Sequence, residues 1–304
     1  MRRKGGIAFF DSGIGGLTVL NACRKRLPDS LFYYYGDNKH APYGNLHSEK
    51  IRKYVLRAFK RFEKMQVGAA VVACNTATAV CIEELREKFS FPIIGAEPAV
   101  FPAMREGGEV FVLTTRATYE SARFRRLCKN AEALYPSAKL TAFPCDKLAG
   151  EIEKYIFDTG DHYTALLPQG QPTSVVLGCT HYVYISELVS NFYQCPVFDG
   201  NEGIACQVER VLRANYAFEE GRQPLENHLQ PFRLKKQFKK EKNRRKWEKK
   251  TKENKALGNT RKGEDKNPQK ACKSKALREI VFLGKSKKYN RKIYKHLFTF
   301  THDG

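Results

Sequence analysis

Two cysteines stand where an open α/β sheet usually does its chemistry. Cys74 closes the apolar run Ala69-Ala70-Val71-Val72-Ala73 and is followed by Asn75-Thr76. Cys179 closes Ser174-Val175-Val176-Leu177-Gly178 and is followed by Thr180-His181. Short, Val-rich apolar runs read as strands buried on both faces of a parallel sheet. Ligands gather beyond the carboxyl ends of such strands, so each thiol is expected to face a cleft. A thiolate is a base and a thiol an acid, and an unperturbed cysteine titrates near ~8.5. Two of them in matching positions suit a proton taken from one side of a substrate and returned on the other. The helix N-terminus expected after each cysteine should favour its thiolate, and His181 is a candidate partner of Cys179. Cys23, Cys81, Cys128, Cys195, Cys206 and Cys272 read instead as small buried hydrophobes.

Two polar loops could hold the substrate. Asp11-Ser12-Gly13-Ile14-Gly15-Gly16-Leu17 is a glycine-rich turn entering a helix, and its free N–H groups suit an anion. It lacks the Gly-Lys-Ser/Thr end of a phosphate-binding loop and the Gly-x-Gly-x-x-Gly spacing of dinucleotide sites. A carboxylate-sized ligand therefore fits better than a nucleotide, with Ser12 as donor and Asp11 free for a substrate ammonium or to orient a base. The second loop, Asp37-Asn38-Lys39-His40-Ala41-Pro42-Tyr43-Gly44, could offer the Tyr43 hydroxyl and the Gly44 amide to a second carboxylate. Taken alone, the first loop is equally well a tight strand–helix turn, and the second is more simply a connection.

The elements that must position these residues alternate along the chain. Strands are expected at Ile7–Phe10, Leu31–Tyr35, Ala69–Ala73, Pro92–Gly95, Val110–Thr114, Leu140–Phe143, Ser174–Leu177 and Pro196–Phe198. Helices are expected at Gly15–Arg26, Ser48–Met65 with Ser48 as its cap, Thr76–Phe89, Thr118–Tyr135, Cys145–Phe157, Tyr182–Phe192 and Gly203–Tyr216. The fold class is α/β: two pseudo-symmetric α/β domains with mainly parallel sheets around a central cleft. Residues 1–97 with 200–222 and 279–304 would form the first domain and 98–199 the second. Residues 223–278 read as a basic insertion too poor in aliphatics to offset chain entropy. A last strand at Ile280–Gly284 and a helix near Tyr289–Leu297 rejoin the core.

The net charge of +22 over 304 residues is concentrated in that insertion. Residues 233–278 hold 20 Lys and Arg against 5 Asp and Glu, or +15, and residues 279–304 hold 6 against 2, or +4, which leaves only +3 for residues 1–232. Contact of the segment with nucleic acid is thus a secondary expectation, with Trp247, Phe232 and Phe238 as its few stacking groups. Nine cysteines without a Cys-x-x-Cys pair signal neither a zinc cage nor a thioredoxin-type motif. The apolar run after Met1-Arg2-Arg3-Lys4 stops at Asp11, short of a signal peptide's core, and no run has transmembrane length. A cytoplasmic chain with reduced thiols and no membrane contact is the expectation.

Taken together, Phe10-Asp11-Ser12-Gly13-Ile14-Gly15-Gly16-Leu17-Thr18-Val19-Leu20, Pro42-Tyr43-Gly44, Ala73-Cys74-Asn75-Thr76-Ala77-Thr78 and Leu177-Gly178-Cys179-Thr180-His181-Tyr182 resemble the glutamate racemases of the cofactor-independent aspartate/glutamate racemase family. The resemblance covers about residues 6–220 and resumes near 279–298. It implies Cys74 and Cys179 as catalytic acid/bases with Asp11 and His181 as auxiliaries. It implies Asp11, Ser12, Tyr43, Gly44, Asn75, Thr76, Thr118, Thr180 and His181 as substrate contacts, with Ser121 near Thr118 in the same polar motif. Glu153 matches a family glutamate, though Glu151 is close enough to compete. Thr78 looks like the glutamate enzymes rather than the aspartate ones. Val183-Tyr184-Ile185 and Phe124 depart from the family's usual Pro-Leu-Leu and Tyr, and the basic segment has no counterpart.

The function this implies is racemisation of L-glutamate to D-glutamate for peptidoglycan, without cofactor or metal, in a cytoplasmic enzyme that is often a homodimer. Three rivals stand beside it. A relative acting on aspartate or a hydantoin would keep both cysteines. A nucleic-acid binder would rest on the basic segment. A pyridoxal-phosphate racemase would need a Schiff-base lysine, and no lysine here is set apart for that role.

Overall fold

The computed structural model describes residues 5–156, 161–219 and 280–298. The basic segment expected at 223–278 lies outside the described residues. Among the described residues, nine strands form two sheets, and every strand pairing is parallel. The first sheet has the order β4-β3-β1-β2-β9, built from β1 (Ile7–Asp11), β2 (Phe32–Gly36), β3 (Ala69–Val72), β4 (Ile93–Gly95) and β9 (Ile280–Leu283). The second has the order β6-β5-β7-β8, built from β5 (Gly108–Thr114), β6 (Ala138–Pro144), β7 (Ser174–Leu177) and β8 (Val197–Phe198).

The apolar runs are continuous because both faces of each sheet are covered. Side chains alternate across a strand. In β1, Ile7 and Phe9 enter one core, and Ala8 and Phe10 another. The first of these cores is closed by α1 (Gly16–Arg26), α9 (Asn201–Glu219) and α10 (Lys287–Phe298). The second is closed by α2 (Ser48–Met65) and α3 (Asn75–Lys88). In the second sheet, Phe111 and Leu113 of β5 face α7 (Leu148–Lys154) and α8 (Ser186–Tyr193). Val110 and Val112 face α4 (Val100–Arg105) and α6 (Ala122–Leu134). The parallel α/β class therefore holds.

The departures from expectation lie at helix ends, and at one of them hydroxyl side chains take backbone groups that a helix would otherwise share. The helix expected over 118–135 is two: α5 (Arg116–Tyr119), capped by Thr115, and α6, capped by Ser121, whose Oγ accepts from Phe124 N at 3.1 Å. His47 rather than Ser48 takes the capping position of α2, with no side-chain bond. Cys145 extends the strand ladder, its N–H donating to Thr114 O at 2.7 Å, so α7 starts only at Leu148. The segment after Cys179 is a 3-10 turn, Thr180–Ile185, before α8 begins.

Candidate active site

The loop after β1 and the turn after β7 meet face to face. A Cβ on Gly15 would collide with Thr180 Oγ1 and come within 2.8 Å of His181 N, so only glycine permits this approach. Asp11, fully buried, lies in the seam: Oδ1 accepts from Gly13 N at 2.8 Å and Oδ2 from Thr180 Oγ1 at 3.1 Å. Burial pushes its carboxyl above the ordinary value, against the pull of His181 and of the Gly13 and Gly16 amides. The loop's carbonyls are held from outside by Tyr34, whose hydroxyl donates to Gly13 O at 2.8 Å, and by Tyr184, which donates to Ile14 O at 2.7 Å. The anion turn expected here is thus used internally. The Gly13 amide serves Asp11 and the Ile14 amide serves Glu153, both carboxylates of the protein itself.

Cys74 caps α3. Its Sγ accepts from Ala77 N at 3.4 Å and lies 3.6 Å from Ser12 Oγ. The expected thiolate does not follow from that geometry. Burial and the Asp11 charge push the thiol up to about 12, with Cys179 adding to the rise, and the Ala77 amide and Ser12 hydroxyl only partly offset them. Desolvation of a charge in an apolar site outweighs one neutral amide donor. The Asp11 carboxylate makes its hydrogen bonds to Gly13 and Thr180, so it acts on Cys74 through its field.

Cys179 has a different neighbour. Its Sγ lies 3.9 Å from His181 Nδ1, and His181 Nε2 lies 2.6 Å from Glu153 Oε2. Burial alone would push the imidazole down, but the bonds and charges of Cys179 and Glu153 raise it well above its ordinary value. Burial would raise Glu153, yet His181, Asn38 and the Ile14 amide bring it below its ordinary value. His181 and Glu153 therefore form a charged pair inside the protein, with the imidazolium beside the Cys179 sulfur. It is Glu153 rather than Glu151 that α7 turns toward His181.

A third group of hydroxyls lies where α3 and α5 approach. Thr76 Oγ1 is 2.8 Å from Thr115 Oγ1 and 3.5 Å from Thr118 Oγ1, and Thr115 donates to Thr118 at 3.1 Å. Gly44 packs against them, since a Cβ there would meet Thr115 Cβ at 2.8 Å. The Tyr43 hydroxyl, expected to meet a ligand, donates to Asp37 Oδ2 at 2.7 Å, and His40 Nδ1 sits 2.9 Å from the same oxygen. Asn75 is buried with Oδ1 unpartnered. Thr78 ties β3 to the residue after β4, donating to Val72 O and accepting from Ala96 N, both at 3.1 Å. Its hydroxyl is spent on the backbone, as is that of Ser121.

Cys74, Cys179, Asp11, Ser12, Thr180, His181 and Glu153 thus form one linked cluster, and Thr76, Thr118 and Gly44 a second, with Asn75 joining them through the chain. Sequence reasoning missed Asn38, Thr115 and the two tyrosines that hold the β1 loop. A threonine just past a strand end and before a helix was a capping signal for Thr115; nothing periodic marked the rest. Among the described residues no helix is long and apolar enough to cross a membrane, and no group of three or more His, Cys, Asp or Glu is arranged to hold a metal ion.

Comparison with known proteins agrees with this geometry. The model of the family described as Asp/Glu/Hydantoin racemase matches residues 18–208. The glutamate racemase of Clostridium acetobutylicum is 34% identical over 243 residues, which span 75% of this chain and 93% of that protein. A Clostridium botulinum glutamate racemase is 37% identical over 230 residues, 71% of this chain and 87% of its own. Among solved structures, Escherichia coli glutamate racemase in complex with L-glutamate and the activator UDP-MurNAc-ala has a similar fold. It shows a TM-score of 0.61 and 28% identity, over 69% of this chain and 83% of that one. The chain belongs to the Asp/Glu/hydantoin racemase family, is an isomerase, and sits among that family's glutamate racemases.

Proposed function

We propose that this enzyme interconverts L- and D-glutamate by a two-base route through Cys74 and Cys179. One thiolate takes the α-proton, so the Cα–H bond breaks and an S–H bond forms, leaving the electron pair delocalised into the substrate carboxylate. The opposite thiol then gives its proton to the other face of Cα and becomes the thiolate. Run backwards, the cysteines exchange roles. Positioned acid/base groups contribute ~10²–10⁴-fold, and fixed donors to the developing charge often contribute more. Ser12, Asn75, Thr76 and Thr180 are the donors assigned here, Thr180 through its backbone N–H because its hydroxyl donates to Asp11, with Asp11 supporting Cys74 and His181 with Glu153 supporting Cys179. Tyr43, Gly44 and Thr118 complete the wall that selects the substrate. No cofactor is assigned.

The observation that carries this reading is the pairing of thiols from two sheets. Each follows the end of a corresponding strand, within the other's electrostatic reach and beside its own charged auxiliary. The charge states support it, because Cys74 is held as thiol while an imidazolium flanks Cys179. The family relatives named as glutamate racemases support glutamate as substrate, and D-glutamate would then supply peptidoglycan synthesis in the cytoplasm. The two sheets would be the centres of two domains, 1–97 with 200–222 and 279–304, and 98–199, with the substrate between them.

The test is racemisation of D- and L-glutamate beside D- and L-aspartate, with α-deuterium exchange in ²H₂O. Wild-type enzyme is expected to turn over both glutamate enantiomers and neither aspartate. Cys74→Ala and Cys179→Ala should each remove racemisation. Wild-type turnover by either variant defeats the two-base route, and turnover of aspartate alone defeats the substrate.

A further inference from the structure

Glu153 stands at the crossing of three chain segments. It is carried by α7, on the side of the second sheet, yet two of its three donors come from the first. Its Oε2 takes His181 Nε2 at 2.6 Å and Ile14 N at 3.3 Å, the latter from the loop after β1. Its Oε1 takes Asn38 Nδ2 at 2.6 Å, from the loop after β2. Among the described residues, Asn38 is the sole donor to Oε1. A carboxylate gripped at one oxygen only can rotate about its last bond; gripped at both, its plane is set. Asn38 thereby sets, with Ile14, the angle at which the carboxylate meets His181.

The loop that carries Asn38 is itself held. Asp37 N donates to Asp11 O at 3.0 Å, and the Asp37 carboxylate gathers the Tyr43 hydroxyl and His40. His40 in turn stacks on Tyr54 with ring centroids 4.0 Å apart. Gly13 completes the fit, since a Cβ there would lie 2.6 Å from Glu153 Oε2. An amide suits the position chemically. It donates to the carboxylate without carrying a charge, so it does not compete with His181 for the ion pair as Lys or Arg would.

We propose that Asn38 is a positioning residue for the racemisation, reaching from the loop after β2 to fix the Glu153 carboxylate that orients His181 against Cys179. The proposal rests on the two-thiol reading above. Its effect falls on one half of the proton relay: Asn38 is linked to Cys179 through two side chains and makes no hydrogen bond to the Cys74 group. Losing it makes proton transfer at Cys179 the slower of the two transfers in both directions.

Asn38→Ala and Asn38→Asp test this in the full chain. Alanine leaves room for water to replace the donor, whereas aspartate keeps the size and sets a second carboxylate against Glu153. Loss of kcat/KM is expected to be about 10-fold for Asn38→Ala and about 100-fold for Asn38→Asp, within the range that misorientation of a catalytic group produces. The decisive readout is the primary isotope effect on kcat/KM with 2-deuterio-D- and 2-deuterio-L-glutamate. It should rise for the enantiomer whose deuteron goes to Cys179 and fall or stay constant for the other. A residue that only packs the loop would predict Asn38→Ala as the worse variant and an equal change for both enantiomers, and either result overturns the proposal. So does wild-type kcat/KM in Asn38→Ala. If Asn38→Asp unfolds, the isotope effects of Asn38→Ala decide alone. Wild-type enzyme that leaves glutamate unchanged removes the underlying reading, and the proposal with it; active wild type with indifferent Asn38 variants removes the proposal only.

Discussion

Cys74 accepts an amide hydrogen bond at a helix start and is still held up to about 12, because burial beside Asp11 outweighs one neutral donor. The opposite thiol instead has an imidazolium for company, and that imidazolium depends on Glu153. This dependence gives a pH signature. A raised His181 stabilises the fold fully below 6.5, its ordinary value, and the contribution is lost as pH rises through its higher folded value. A lowered Glu153 contributes above 4.5 and is lost as pH falls through its folded value. The two windows overlap from 4.5 to 6.5. The Tm difference between wild type and Glu153→Gln should therefore be greatest there and shrink on both sides, and a difference flat from pH 4 to ~9 would refute the ion pair. Both cysteines, Asp11 and His181 were legible because strand ends announce themselves by apolar runs that stop. Asn38 was not, since a side chain in an irregular loop has no period from which to read its direction, and Glu151 competed with Glu153 because α7 is too short to show a face.

Between elements, the tightest approach is Gly15 against the Thr180–His181 turn. Gly15 has φ −56° and ψ −41°, ordinary helical values that alanine adopts without strain. Gly15→Ala therefore isolates the collision from any backbone cost. It should wedge the two sheets' loops apart, lower kcat/KM by about 100-fold, the scale of a misplacement near 1 Å, and lower Tm through an overpacking cost of about 1–3 kcal/mol. Unaltered kinetics would mean that the two loops need not touch for turnover. The strands on either side were readable because parallel sheets bury both faces, so Ile7–Phe10 and Ala69–Ala73 carry no polar interruption. The break between α5 and α6 was not, because Ser121 looks like an interior residue until its backbone partner is known, and neither was the 3-10 turn Thr180–Ile185 that delays α8.

Across the whole molecule, the first sheet is assembled from distant stretches of chain. β9 pairs in parallel along β2 from Phe32–Ile280 to Tyr35–Leu283, and α10 packs over it. Asn290 of α10 is fully buried and donates to Gly36 O at 3.5 Å, at the point where β2 gives way to the Asp37 loop. A chain ending at 222 should thus lose activity and unfold at lower temperature, whereas replacing 233–276 by a short flexible linker should leave kcat intact while weakening retention on a phosphate resin. Loss of kcat in the linker form would tie the basic segment to catalysis. The alternation of elements made the two-sheet plan readable, including the return at Ile280; which strand it would join was not, because a pairing partner is a long-range choice.

That late arrival has a consequence for synthesis. During translation, β2 is made early and must wait for its outer neighbour until the basic residues have been added. A nascent polypeptide emerging from the ribosome therefore exposes an open strand edge next to the Asp37 loop until Ile280–Leu283 has been made and can pair with β2.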